Sequence, residues 1–430
     1  MVFAQKNIVS QMVNPLLDNY PILLVSPDVR SSVMGVAKSL EQSQLLGGFV
    51  TTFATKSPES VNGLAGFFTK PFRGRQIPDW LWAKTHLHPY RELARLISSK
   101  TIPSEISKDR IWEWAETGFD RSVAQKWAGK FPIIYGCEHA SVETFSKQKQ
   151  LGGRNILWQV IAHHQTSYRL NRRALEECPE AQTAYAMHAF QTASRVNGRK
   201  DRQYADADLI IANSPFVRDS FIAAGVSQEK VISVPTGCPE VSLDACAKRP
   251  SGPRIFLCAG NQCVRKGVHH LLQAWKLVKT SPEIAQLWLV GKMELPARLL
   301  ENLPRSIVIH PPVSKAELQT IFKRVHTLVL PTLCEGRAHV ILEALASGLP
   351  VITTLNSGCS DVVLDGINGV LVPPFDSEGL ACAIGKMIAL SENSLYEMSQ
   401  MSLDRAKRWT INDFAQRHNW QIGQFVKKNK

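Results

Sequence analysis

The sequence predicts an α/β protein made of two Rossmann-like domains in tandem, and three observations carry that prediction. At 430 residues the chain exceeds what one ordinary core organises, and it is long enough for two. Short β-branched or aromatic runs alternate with helix-length amphipathic segments, the order that parallel sheets require. The alternation stops between Gly237 and Pro253, where Gly, Pro, Cys and charge dominate, and then begins again.

In the first half the strand-like runs are Ile22–Ser26, Phe49–Thr55, Phe131–Tyr135, Ile156–Ala162, Leu209–Ser214 and Val231–Pro235. Helical periodicity fills Val33–Leu46, Leu81–Ile97, Ser141–Gln150 and Phe216–Ala224, with Gly225 placed to cap the last. The second half predicts strands at Ile255–Ala259, Gln286–Val290, Ile307–Ile309, His326–Leu330, Pro350–Thr354 and Gly369–Val372. Its helices are Val268–Val278, Lys315–Lys323 with Ser314 as N-cap, and Val340–Ala346. The boundaries read as 1–245 for the first domain, 246–412 for the second and 413–430 for a terminal helix returning toward the first. Ligands of such sheets bind beyond the carboxyl ends of the strands, so two domains facing each other place a substrate in the cleft between them.

Composition excludes several classes. Apolar content of 44% and charged content of 20% fit a folded chain rather than a disordered one. No apolar run reaches the roughly 18 to 20 residues of a spanning helix, and the N-terminus lacks the order of a signal peptide, so the expected location is cytoplasmic. Nine cysteines without a CxxC pair form neither a disulfide framework nor a zinc site. The net charge of +13, clustered at Lys70/Arg73/Arg75, Arg172/Arg173, Arg199/Lys200/Arg202 and Lys427/Lys428/Lys430, has two readings. One is a solvated basic surface; the other is peripheral attachment to the anionic inner face of a membrane. No aromatic-plus-basic module argues for nucleic acid.

Two segments carry chemistry. In Cys334–Ala344 two glutamates, Glu335 and Glu343, stand eight positions apart at a strand-to-helix junction. The helix between them offers unpaired N–H groups and a positive dipole end at Gly336, Arg337 and Ala338, which suits a diphosphate. Surface glutamates near a helix start are the alternative. Upstream, Gly260-Asn261-Gln262-Cys263-Val264-Arg265-Lys266-Gly267 joins a strand to a helix and sets two cations where a leaving phosphate would be held. A P-loop is excluded, because glycine rather than Ser or Thr follows the lysine.

Together these segments resemble the glycosyltransferase group 1 family, retaining enzymes that use nucleotide sugars and share the GT-B fold, two Rossmann-like domains facing across a cleft. Glu335 and Glu343 match the family's Glu-x7-Glu motif, Lys266-Gly267 its Lys-Gly, Gly348-Leu349-Pro350-Val351 its Gly-x-Pro-Val and Asp365-Gly366-Ile367-Asn368-Gly369 its Asp-Gly-x-Asn-Gly turn. The order and spacing of all four agree over about 150 residues. The likeness is looser at Ala207–Ser214 and Val234–Gly237. Asn261 stands where the family often has arginine, which leaves Arg265 to supply the second cation, and Arg337-Ala338 replaces the usual Phe-Gly.

The resemblance implies a nucleoside-diphosphate sugar donor of UDP or GDP type and no further cofactor. The diphosphate would lie near Arg265, Lys266, Gly260 and the helix after Gly336, the sugar near Glu335, and the base and ribose near Glu343. It also implies an N-domain histidine beside the donor sugar, and both His163 and His164 fit that place. The acceptor would be a glycan, a lipid-linked sugar or a small molecule, as in polysaccharide biosynthesis. No metal is expected: Asp206-Ala207-Asp208 imitates an Asp-x-Asp motif but precedes a strand, and His86 with His88 has no third ligand. A nucleotide-sugar epimerase and a non-catalytic sugar-binding protein are the rival readings.

Overall fold

The structure, a computed structural model, describes residues 20–56, 74–241 and 249–428. Lys70, Arg73, Lys430 and part of the predicted connector lie outside them. The chain divides into two compact units, one of Met1–Trp158, Thr192–Ile210 and Ala415–Lys430, the other of Gln159–Gln191 and Ile211–Phe414.

The strands of the first sheet are β1 Ile22–Val25, β2 Leu46–Thr51, β5 Thr85–Leu87, β6 Ile133–Cys137, β7 Arg154–Gln159, β8 Leu209–Ala212 and β9 Val231–Ser233; β3 Thr55–Lys56 and β4 Gln76–Ile77 pair separately. The order is β5-β2-β1-β6-β7-β8-β9, and the pairs of β1 with β2 and β6, of β2 with β5 and of β6 with β7 are parallel. Ile22–Val25 is buried on both faces, as a continuous apolar run in a covered parallel sheet should be. Because β1 lies between β2 and β6, the strand order reverses there, which makes the carboxyl ends of β1 and β6 a topological switch point.

The helices among the described residues of this half are α1 Ser31–Gln42, α2 Asp79–Trp82, α3 Pro89–Thr101, α4 Glu105–Trp127, α5 Val142–Gln150, α6 His164–Glu177, α7 Ala184–Asp206 and α8 Pro215–Ala223. The single helix predicted over Leu81–Ile97 is two helices separated by β5. Pro89 disfavours helical backbone at His88 and opens α3 at its first position, so the segment cannot run through. The strand predicted to run from Ile156 to Ala162 ends at Gln159, which frees residues 160–163 as a loop.

The second sheet contains β10 Arg254–Ala259, β11 Ala285–Val290, β12 Ile307–His310, β13 Thr327–Leu330, β14 Val351–Thr354 and β15 Gly369–Val372, in the all-parallel order β12-β11-β10-β13-β14-β15. Its helices are α9 Val268–Val278, α10 Lys315–Phe322, α11 His339–Ala346, α12 Ser377–Ala389 and α13 Glu392–Lys407, followed by α14 Ile411–Lys427. Ser314 caps α10 as expected and forms a full capping box with Glu317. From Ala415 onward α14 belongs to the first unit. There the buried His418 is hydrogen-bonded through Nδ1 to Ser39 Oγ at 2.8 Å and through Nε2 to Tyr135 Oη at 2.9 Å. Burial pushes its pKa down to about 3.

The eight cysteines among the described residues are free, five of them buried. No helix among those residues is long and apolar enough to cross a membrane.

Candidate active site

In the second sheet β10 lies between β11 and β13, so its switch point falls at the carboxyl ends of β10 and β13. The two segments singled out by sequence are the loops leaving those ends: residues 260–267 run from β10 to α9, and residues 331–338 from β13 to α11.

Backbone bonds stitch the loops together. The carbonyl of Arg265 accepts from Leu333 N at 2.9 Å and from Thr332 Oγ1 at 3.3 Å. Buried Gln262 pins the first loop from below, its Nε2 donating to the carbonyls of Cys258, Gly260 and Val290. At Gly260, with φ +114°, a Cβ would stand 2.9 Å from Lys266 Nζ, so glycine admits both the left-handed turn and the lysine amine above it.

On this frame Arg265 Nη1 donates to Glu335 Oε1 at 2.5 Å and to the Cys334 carbonyl at 3.0 Å, and Lys266 Nζ lies 3.7 Å from the same Glu335 oxygen. Burial disfavours the charge on Arg265, but Glu335, Cys263 and Cys334 outweigh it and raise its pKa above the ordinary value. Both cations named by sequence therefore converge on one of the two named glutamates. Glu343, on the second turn of α11, stands apart and is paired with the exposed Lys315 at 3.5 Å.

The helix start differs from the sequence picture in two details. The amides of Glu335 and Ala338 are engaged by the carbonyls of Asn356 and Ser357. The Arg337 side chain is buried and directed inward: Nε donates to the Thr236 carbonyl at 2.8 Å, and Nη1 to the Gly358 carbonyl at 2.8 Å and to Asp361 at 2.7 Å. Arg337 thus anchors the loop through its side chain. No side chain caps α11, and of its first-turn amides that of Ile341 donates to the Ala338 carbonyl at 2.9 Å. His339 is pushed below its ordinary pKa by burial and by Arg337, against the pull of Glu343 and Glu335.

A third segment meets these loops. A Cβ on Gly336 would fall 1.6 Å from the Val160 carbonyl oxygen, and Ser167 Oγ lies 3.7 Å from Cys334 Sγ. The start of α6 therefore packs beside the Glu335 loop, and it carries both candidate histidines. His163 is its N-cap: Nδ1 accepts from Gln165 N at 3.3 Å, its amide donates to Ser220 Oγ at 2.8 Å, and its ring stacks on His164 with centroids 4.3 Å apart. Both rings are buried.

Sequence reasoning gave no role to Gln262 and Thr236, although both lie in segments that it singled out, and it passed over Asp361 altogether. Only its place in the loop, three residues before the Arg-Lys pair, could have pointed to Gln262, since glutamine is ordinarily exposed. Nothing local marks Asp361 as the partner of an arginine 24 positions earlier.

Residues 253–389 match the family model for glycosyl transferases group 1. The chain is 31% identical over 199 residues to the lipopolysaccharide core biosynthesis glycosyltransferase LpsE of Rhizobium meliloti, covering 45% of this chain and 56% of that protein. It is 34% identical over 312 residues to the D-inositol 3-phosphate glycosyltransferase of Streptomyces griseus, covering 62% of each. The matched part thus spans only about three fifths of either relative. Among solved structures, Anabaena HepE in complex with UDP superposes with a TM-score of 0.56 at 17% identity, over 95% of this chain and all of that one. Likeness at that identity shows the fold, which is GT-B.

Proposed function

We propose that this chain, whose residues 253–389 match the family model for glycosyl transferases group 1, transfers a sugar from a nucleoside-diphosphate donor to an acceptor hydroxyl with retention at the anomeric carbon. The observation that carries the reading is the convergence of Arg265 and Lys266 on Glu335 beside the start of α11. When a donor enters, its diphosphate takes over the two cations and meets the positive end of α11, with Gly260, Gly336 and the Arg337 backbone lining the approach. Negative charge grows on the diphosphate as it leaves, and fixed positive groups stabilise it without reorganising. Released from part of its ion pairing, Glu335 holds hydroxyls of the donor sugar, while Glu343 holds the ribose. His163, or its neighbour His164, contributes from the start of α6. Residues 246–412 serve the donor and residues 1–245 the acceptor.

HepE is described with UDP bound, which supports a nucleoside-diphosphate donor of UDP or GDP type here. The leaving group needs no metal in this scheme. LpsE acts in lipopolysaccharide core synthesis by its description, which supports a glycan or lipid-linked acceptor. For such an acceptor, weak and reversible attachment to anionic membranes through the +13 charge is a further part of the proposal. The reading is tested by titrating UDP and GDP into the protein with Glu335 or Glu343 replaced by alanine. Nucleotide binding that survives loss of Glu335, together with abolished transfer, is the expected result. No binding of either nucleotide would refute it.

A further inference from the structure

At the other switch point, beyond β1 and β6, lies a cluster wholly within the first unit that no motif marked. Helix α4 presents Trp112, Glu116 and Asp120 at four-residue spacing, so the three share one face. The ends of the row are tied down. Trp112 meets His139 edge to face with ring centroids 6.1 Å apart, and Asp120 accepts from the amides of Glu143 and Thr144, both at 2.9 Å, capping α5.

His139 follows β6 directly and holds φ +66°, an unusual conformation for a residue with a Cβ, kept by its amide donating to Gln203 Oε1 at 2.9 Å. Burial pushes its pKa down to about 4, so the imidazole is neutral at pH 7. Glu116, between Trp112 and Asp120, makes no ion pair or hydrogen bond among the described residues. Burial and the carboxylates of Glu138, Asp120 and Asp28 push it well above the ordinary carboxylate range, against the opposing effect of Arg199.

The nearby cations are already matched. Lys200 lies 3.4 Å from Glu138, Arg199 lies 3.5 Å from Asp120 and 3.8 Å from Glu143, and Arg30 lies 2.8 Å from Asp28. An anionic ligand would have to break one of these pairs and would also face the carboxylates. A hydroxyl has neither problem, since it can donate to one polar group and accept from another. Trp112 is 41% exposed and offers an apolar ring face beside those groups, which suits the C–H face of a pyranose.

We propose that Trp112, Glu116 and His139 at the carboxyl ends of β1 and β6 form a recognition site for an uncharged sugar, the acceptor of the transfer inferred above. The proposal rests on that reading but can fail separately from it. Glu116 and His139 bind the sugar's hydroxyls, and Trp112 covers its ring.

The test is ligand-observed NMR on the full chain, with and without saturating UDP, using methyl α-D-glucopyranoside, methyl β-D-galactopyranoside and myo-inositol as neutral probes and glucose 6-phosphate as the charged one. At least one neutral probe should bind, and glucose 6-phosphate should bind more weakly than its neutral counterpart. Trp112→Ala and Glu116→Ala should each weaken the bound probe by about tenfold, the effect of losing one well-made contact. Glu116→Gln, which keeps an uncharged donor and acceptor, should retain most of the affinity. UDP titrated calorimetrically should bind all variants as it binds the parent. Should Glu116→Ala fail to fold, Trp112→Ala and Glu116→Gln decide alone, since the first alters a partly exposed side chain and the second keeps shape. The proposal is overturned if UDP binds but no neutral probe does, if glucose 6-phosphate binds as tightly as the neutral glycoside, or if the Trp112 and Glu116 alanine variants bind like the parent. A parent that binds neither UDP nor GDP would instead refute the donor reading.

Discussion

Replacing Gly336 by alanine tests how the Glu335 loop is held. The new Cβ would lie 1.6 Å from the Val160 carbonyl oxygen and 3.2 Å from Ile161 Cα, both backbone atoms that cannot rotate aside. Reaching ordinary van der Waals separation requires the loop or the strand end to move by about 2 Å. Overpacking of this kind costs about 1–3 kcal/mol, which for a chain of this size lowers the melting temperature by a few degrees. The functional cost is larger. The preceding residue, Glu335, is the one proposed to hold the donor sugar, and a misplacement of about 1 Å at a reacting centre can lower turnover about 10²-fold. Steady-state transfer should therefore fall about 10²-fold in Gly336→Ala, whereas the melting temperature drops only modestly. Full activity together with an unchanged melting temperature would show that the loop does not pack on Val160 as described, and the positioning argument for Glu335 would fail with it.

If Lys266 stabilises the departing diphosphate as proposed, Lys266→Ala should lower turnover about 10²- to 10³-fold, more than it weakens donor binding; initial rates beside calorimetry separate the two effects. For His418 the folded pKa of about 3 lies below the unfolded 6.5, so the unfolded chain binds the extra proton first. Its contribution is intact above pH 6.5 and is lost as pH falls below that value, at about 1.4 kcal/mol per pH unit. Urea unfolding at pH 7.5, 6 and 5 should show His418→Gln reducing that acid slope, and an unchanged slope would mean the buried imidazole is not what titrates. Flotation with phosphatidylglycerol vesicles should carry the protein upward in low salt and release it in high salt, where exposed charges are screened. Binding that ignores salt would exclude the electrostatic account.

What the sequence revealed was local. Ser314 and Glu317 announce the start of α10 by three-residue spacing alone, and the capping box forms as written. Arg265 and Lys266 lie next to each other, and their meeting with Glu335 follows from two loops leaving neighbouring strands β10 and β13. What escaped was set by tertiary context. Nothing in the 23 residues of α4 forms a clean apolar stripe, because its buried set includes Gly118 and Asp120, and Asp120 is buried only because α5 brings amides to it. Arg337 reads only as a helix-start position offering its amide, and nothing local shows that Asp361 and the Gly358 carbonyl draw its side chain inward. His88 precedes a proline, so the break between β5 and α3 was visible in principle, yet helical periodicity on both sides concealed it.

The measurement that bears most directly on the donor assignment is calorimetric titration of UDP and GDP, in buffer containing a chelator, into the parent, Glu335→Ala and Glu343→Ala proteins. The account predicts that at least one nucleotide binds the parent without metal. It predicts nearly unchanged affinity in Glu335→Ala, whose carboxylate is assigned to the sugar, and affinity weakened by about tenfold in Glu343→Ala, whose carboxylate is assigned to the ribose. Binding that requires a divalent cation, or that is identical in all three proteins, would contradict it.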